Sequence, residues 1–191
     1  NSQIKKLIAG NWKMNGNLDS LKEIDFLKCV IDKVTCEVIV CPPTTLLTEA
    51  VKKVTNTRVR IGAQNCNHNV SGAHTGEVSA QMLKDLCVDF VILGHSERRI
   101  AHFETNSLVN NKAKTAHQYN LTTIICVGET KHERTSGQTA NIIKQQIIES
   151  LPITATENNT VAGNTKLILK NVADSTIELY SNLNSVQKKN A

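Results

Sequence analysis

Asp89-Phe90-Val91-Ile92-Leu93 runs straight into Gly94-His95-Ser96-Glu97-Arg98-Arg99. An unbroken apolar run of this length fits a strand buried on both faces of a parallel sheet. The glycine ends it and delivers an imidazole, a hydroxyl, a carboxylate and two guanidiniums at its carboxyl end. The same arrangement opens the chain, where Leu7-Ile8-Ala9 leads into Gly10-Asn11-Trp12-Lys13-Met14-Asn15-Gly16. Sheets wound with helices gather their chemistry at the carboxyl ends of the strands.

Working outward, the same alternation repeats. Strands are expected at Leu7–Ala9, Glu37–Cys41, Arg58–Gln64, Phe90–Leu93 and Leu121–Val127. Between them, apolar residues recur at helical spacing over Leu18–Ile31, Thr45–Val54, Val78–Leu86, Ser96–His102 and Ser107–His117. Glu133–Leu151 begins polar and becomes helical, with Ile142, Ile143, Ile147 and Ile148 as its stripe. Strands alternating with helices imply right-handed crossovers and a parallel sheet. Five such units reach Pro152. Beyond it the pattern weakens: Lys166–Lys170 reads as a sixth strand and Val172–Lys188 as a helix.

Size and composition bound the possibilities. A chain of 191 residues is enough for one domain with a sizeable core. Hydrophobic residues make up 40% and aromatics only 3%, so Val, Ile and Leu must build that core. The net charge of +5 is mild and scattered, without the basic stripe and interleaved aromatics of a nucleic-acid binder. No stretch approaches the ~20 apolar residues of a membrane helix, and no signal peptide is read at the start. The six cysteines, Cys29, Cys36, Cys41, Cys66, Cys87 and Cys126, form no C-x-x-C pair. They argue against a zinc or thioredoxin-type site and for a reduced, cytoplasmic setting. No histidine spacing suggests a metal, and His68, His74, His102, His117 and His132 are expected to be exposed.

Five motifs together carry a resemblance. They are Asn11–Gly16, Ile61-Gly62-Ala63-Gln64-Asn65, Gly72–Ser79, Gly94–Arg99 and Cys126-Val127-Gly128-Glu129-Thr130. In this order and spacing, over residues 4 to about 151, the chain resembles the triosephosphate isomerase family. The resemblance implies a (β/α)₈ barrel, typically ~250 residues long, here an incomplete barrel of five to six units. It would form a single partial domain over 1–191, with 162–191 as an atypical C-terminal segment. The implied reaction interconverts dihydroxyacetone phosphate and glyceraldehyde 3-phosphate through an enediolate. It uses no metal and no organic cofactor, and the family usually works as a homodimer.

The resemblance also assigns roles. His95 and Lys13 would be catalytic, with Asn11 and Lys13 binding substrate. A neutral His95 at a helix N-terminus, where the imidazolium is disfavoured, would donate to the substrate oxygens, as tuned histidines of this family do. Ser96 and Glu97 would support it, Glu97 as an ion pair to Lys13. Taken alone, each residue has a plainer reading: a capping histidine, a solvated lysine, asparagines shaping a turn. Arg98 and Arg99 are expected to be structural ion-pair partners of Glu104 or Glu77. The Asn65–Glu77 loop is long enough to need a reason. In the family it reaches a second subunit, Thr75 toward the neighbour's Asn11 and Lys13; otherwise it is a surface loop.

One part of the family pattern does not appear. The proton-abstracting glutamate lies in a Glu-Pro-x-Trp motif at the end of the sixth strand, followed by an Ala-Ile-Gly-Thr-Gly lid. Trp12 is the sole tryptophan, no Glu-Pro occurs, and Asn159-Thr160-Val161 leads instead into Ala162-Gly163-Asn164-Thr165. Gly163 is the last glycine, so the later glycine-rich phosphate loops are absent too. Glu129 and Glu178 are candidate substitutes without a supporting motif. The expectation is a truncated isomerase of weak or no activity. Its rivals are a non-catalytic half-barrel that associates with a partner and a decaying gene product.

Overall fold

The computed structural model describes residues 6–152, 165–170 and 177–180. Five strands follow the expected order: β1 (Leu7–Asn11), β2 (Glu37–Cys41), β3 (Val59–Ala63), β4 (Phe90–Leu93) and β5 (Thr122–Val127). Each pairs in parallel with the next. β6 (Thr165–Lys170) continues the sheet in parallel beside β5, with Val127 opposite Leu169. β7 (Ile177–Tyr180) then pairs antiparallel with β6. This corrects the helix expected over Val172–Lys188: Ile177–Tyr180 is a strand, and the rest of that stretch lies outside the described residues. A β-branched residue and an aromatic flank Glu178-Leu179 there, a composition that pleats as readily as it coils.

The crossovers are α1 (Lys22–Val30), α2 (Leu47–Val54), α3 (Ala80–Asp85), α4 (Ser96–Ala101), α5 (Asn106–Gln118), α6 (Lys131–Thr135) and α7 (Thr139–Ser150). Several expected helices are subdivided. The first is flanked by 3₁₀ turns at Asp19–Leu21 and Ile31–Lys33. The last splits at Ser136-Gly137, where Gly137 takes φ +73°. Its first piece, α6, starts with a capping box: Thr130 Oγ1 accepts from the Glu133 N–H, and the Glu133 carboxylate accepts from the Thr130 N–H.

Strand alternation divides the core in two. Leu7, Ile39, Cys41, Phe90, Ile92, Ile124 and Cys126 meet inside the curved sheet. Val40, Val59, Ile61, Val91, Leu93, Ile125 and Val127 face outward and pack under the helices, against Ile24, Leu47, Leu83, Val109 and Ala113. Gly62 belongs to the inner layer, and a Cβ there would stand 2.6 Å from Cys41 Sγ. This two-layer arrangement is that of a (β/α)₈ barrel over its first five units. The carboxyl ends of β1, β3 and β4 converge on one rim.

Candidate active site

That rim holds a cleft of about 450 Å³, lined by Asn11, Lys13, Gln64, Asn65, Glu77 and His95 among others. Lys13 leaves β1 in the left-handed region, φ +55°, which bulky side chains seldom adopt. Local bonds hold it there. Its N–H donates to Asn11 Oδ1 at 2.9 Å, and its carbonyl accepts from Gln64 Nε2 at 2.8 Å. The same Gln64 amide donates to the Cys41 carbonyl at 2.9 Å, tying β3 to the ends of β1 and β2. The quoted Ile61–Asn65 motif contained Gln64, but no chemistry singled it out; a glutamine that clamps a neighbour's carbonyl has no signature in one sequence.

His95 caps α4. Its Nδ1 accepts the Glu97 N–H at 3.3 Å, so in the neutral ring the proton sits on Nε2. The Glu97 carboxylate stands 3.5 Å from Nδ1 and 2.6 Å from Lys13 Nζ. It therefore engages the ammonium first. Both Lys13 and Glu97 are about half exposed, so solvent screens the pair and its value lies in placement.

Gly94 makes the turn possible. It has φ +65°, and a Cβ would come within 2.9 Å of both Arg99 Nη2 and Val109 Cγ2. Behind the cleft, Glu104 is buried and its Oε1 accepts from both Arg98 Nε and Lys112 Nζ at 2.6 Å. Lys112 also donates to Asn65 Oδ1 at 2.9 Å, which links this buried network to the cleft wall. Burial alone would raise the Glu104 pKa, but the Lys112 and Arg98 bonds outweigh it and hold the carboxyl below its ordinary value. Arg98 thus has the carboxylate partner expected. Arg99 does not: it donates to the Gly94 and Cys126 carbonyls, Asn106 Oδ1 and Ser150 Oγ. These acceptors lie at the ends of β4 and β5 and on the helices beside them.

Not every expected site residue shares the cleft. Ser96 lines a neighbouring one of about 290 Å³, with Glu129 and Gly128. Glu129 follows β5 and is bound by the Arg134 guanidinium. Burial works to raise its pKa, and Arg134 overrides this and holds it low. Thr75 is exposed near the tip of the 65–77 loop, while Glu77 accepts from Asn67 Nδ2 and faces the cleft. His117 is half-buried against Thr123 and Thr165, and not exposed as expected, because it lies on the inner face of α5. Glu178 belongs to β7, and its side chain lies outside what is described. Among the described residues, no group of three or more His, Cys, Asp or Glu could hold a metal ion, and no helix is long and apolar enough to cross a membrane.

The family model of triosephosphate isomerase matches residues 6–165. The chain belongs to the triosephosphate isomerase family. It is 48% identical to the triosephosphate isomerase of Rhizobium etli over 163 residues, covering 83% of this chain and 63% of that protein. The Rhizobium meliloti enzyme is 47% identical, with the same coverages. The crystal structure of triosephosphate isomerase from Bartonella henselae superposes with a TM-score of 0.80 at 38% identity, over 87% of this chain and 68% of that one. The chain thus spans less than two thirds of the length of these curated isomerases. The family match ends at the first residue of β6, beyond the last of the quoted motifs, Cys126–Thr130.

Proposed function

We propose that this chain carries the substrate-polarising half of a triose-phosphate isomerase site. The observation that carries the proposal is one cleft lined by an ammonium, Lys13, and an imidazole, His95, whose Nδ1 accepts the Glu97 N–H. Interconverting a ketose and an aldose requires removing a hydrogen from carbon next to a carbonyl and stabilising the enediolate that results. Charge then builds on two oxygens, where fixed donors act most strongly. His95 would donate through Nε2 to those oxygens and pass a proton between them. Lys13, steadied by Glu97 and by the Gln64 clamp, would offset the enediolate and phosphate charge. Asn11 fixes the Lys13 backbone and offers its amide to the same space.

Among the described residues, the carboxylates that line this cleft, Glu77 and Glu97, are each already engaged, Glu77 by the Asn67 amide. Glu97 is engaged by Lys13, Glu104 by Arg98 and Lys112, and Glu129 by Arg134 in the neighbouring cleft. The Glu-Pro-x-Trp motif, which holds the base in the family, does not occur in these residues. A general base contributes ~10²–10⁴-fold to such steps. The 191-residue chain is therefore expected to isomerise triose phosphate at least ~10²-fold more slowly than a relative such as the Rhizobium etli enzyme. An assay of the purified chain tests this, and turnover comparable to that relative overturns it. Lys13→Met should weaken binding of a triose phosphate at least about tenfold, since it removes the one ammonium that lines the cleft among the described residues; unchanged binding removes Lys13 from the site.

The loop bearing Thr75 and Glu77 is proposed to meet a second copy. Asn69 Nδ2 stands 2.9 Å from His74 Nε2, and Glu77 N–H donates to the His74 carbonyl, so the loop is internally braced while Thr75 stays exposed. Met14 and Phe103 are 95% and 84% exposed at the same rim, apolar surface that association would bury. The cytoplasm is the proposed setting, in keeping with six free thiols.

A further inference from the structure

Arg99 meets His95 from both sides. Its backbone N–H donates to the His95 carbonyl at 3.0 Å, and its Nε donates to the Gly94 carbonyl at 2.8 Å. These carbonyls belong to the two peptide groups that flank the histidine. Each peptide group is planar. Holding both planes therefore sets the His95 backbone, φ −56° and ψ 141°, and with it the direction of the Cα–Cβ bond. The side-chain torsions remain, and the Glu97 N–H at 3.3 Å from Nδ1 restrains those. Gly94 supplies no order of its own: it stands at φ +65° without a side chain, the most permissive kind of residue in a turn.

The guanidinium is in turn held from outside that turn. Nη1 donates to Asn106 Oδ1 at 2.6 Å, and Nη2 donates to Ser150 Oγ at 3.2 Å and to the Cys126 carbonyl at 3.3 Å. Asn106 opens α5 and Ser150 ends α7. Ser150 is fully buried, and its hydroxyl donates to the same Asn106 Oδ1 at 3.3 Å. Asn106 Nδ2 donates to Glu149 Oε2 at 2.8 Å, so the amide is gripped at both ends. Arg99, Asn106 and Ser150 do not line the cleft that holds Lys13 and His95.

We infer that Asn106 and Ser150 are positioning residues for His95, acting through Arg99 on the peptide groups on either side of it. Hydrogen bonds weaken steeply as their angle degrades, so a donor aimed at developing charge works best on rigid supports. A planar guanidinium suits this task, because its fixed fork reaches acceptors on three elements at once, where an ammonium on a flexible stem would not. The inference rests on the reading of His95 as the donor to a triose phosphate. Its test uses no substrate, so missing turnover counts against that reading and not against the positioning.

The test follows the 15N-labelled 191-residue protein by NMR. Asn106→Ala removes the Nη1 acceptor, and Asn106→Asp keeps it. In Asn106→Ala the Glu97 amide, bonded to His95 Nδ1, should exchange with water at least about tenfold faster, and the His95 Nδ1 resonance should shift. The Glu133 amide, bonded to Thr130 Oγ1 at the start of α6, should keep its rate. Ser150→Ala should move the same two signals in the same direction, and Asn106→Asp should restore both. Gln145→Ala removes a bond to Glu149 and none to Arg99, and should change neither. Circular dichroism checks that each variant folds. Should one fail, the unsubstituted protein decides: its Arg99 Nε proton should show a through-bond coupling to the Gly94 carbonyl, and a missing coupling overturns the inference. So does an Asn106→Ala protein that loses stability while the Glu97 and His95 signals hold, equal acceleration at Glu97 and Glu133, or an aspartate as damaging as the alanine.

Discussion

Lys13 shows how much of a site is held by groups that do no chemistry. Its left-handed backbone, φ +55°, persists because Asn11 and Gln64 bond its N–H and its carbonyl. Gln64→Ala removes two such bonds at once and is expected to destabilise the protein by about 1–3 kcal/mol, measured by urea unfolding; a change within error would mean the loop holds without the clamp. Gly94→Ala meets both a positive φ and two contacts at 2.9 Å, so a loss of about 2 kcal/mol or more is expected in the same experiment. Glu104 makes a pH-dependent contribution. Its folded pKa lies below the ordinary value despite burial, through Lys112 and Arg98. Its stabilisation is therefore present above the unfolded carboxylate pKa of about 4.3 and is lost as pH falls through the folded value. Wild type should lose stability across that acid range, and Glu104→Gln should lose less. At neutral pH the variant should already be weaker by about 3–5 kcal/mol, because Lys112 is left buried without a counter-charge. Equal acid slopes for the two proteins would remove Glu104 from this role.

At the scale of elements, the two faces of the sheet explain which thiols react. Cys41 ends β2 inside the inner cluster, and Cys66, in the loop after β3, is buried in the outer one. Burial pushes both thiols up to about 12, which suppresses the thiolate at neutral pH. Cys29 on α1 and Cys87 after α3 are exposed. Alkylation followed by mass spectrometry should label Cys29 and Cys87 first and reach Cys41 and Cys66 only on unfolding; early labelling of Cys41 would mean the inner cluster opens. Sequence periodicity made the five parallel strands and most crossovers readable, because Val, Ile and Leu runs of four or five residues fit little else in a chain so poor in aromatics. It failed at Ile177–Tyr180, where Val172, Leu179, Leu183 and Val186 mimic a helical stripe while hydrogen bonds to β6 select a strand.

Over the described residues, the molecule is a barrel wall whose middle strands lie under helices and whose first strand leaves Ile8 exposed. Side chains in the middle should be sensitive and those on the flank tolerant. Ile124→Ala, in the inner cluster and fully buried, should cost about 2–5 kcal/mol. Ile8→Ser should stay within about 0.5 kcal/mol in the chain alone, and a large loss would show that the β1 flank is covered after all. What the sequence by itself determined is the family, the strand order and the residues at the strand ends: Asn11, Lys13, His95 and Glu97 stand in short contiguous motifs, and contiguous motifs survive in one dimension. The absence of Glu-Pro-x-Trp was legible for the same reason. Only the tertiary structure decided which of those residues meet. The Glu97–Lys13 pair was already implied by the resemblance, but the fold sent Ser96 to the neighbouring cleft, gave Arg99 neutral acceptors in place of a carboxylate, and made Gln64 the clamp. Such pairings depend on the curvature of a sheet that brings distant strand ends to one rim, and no local pattern of residues encodes that distance.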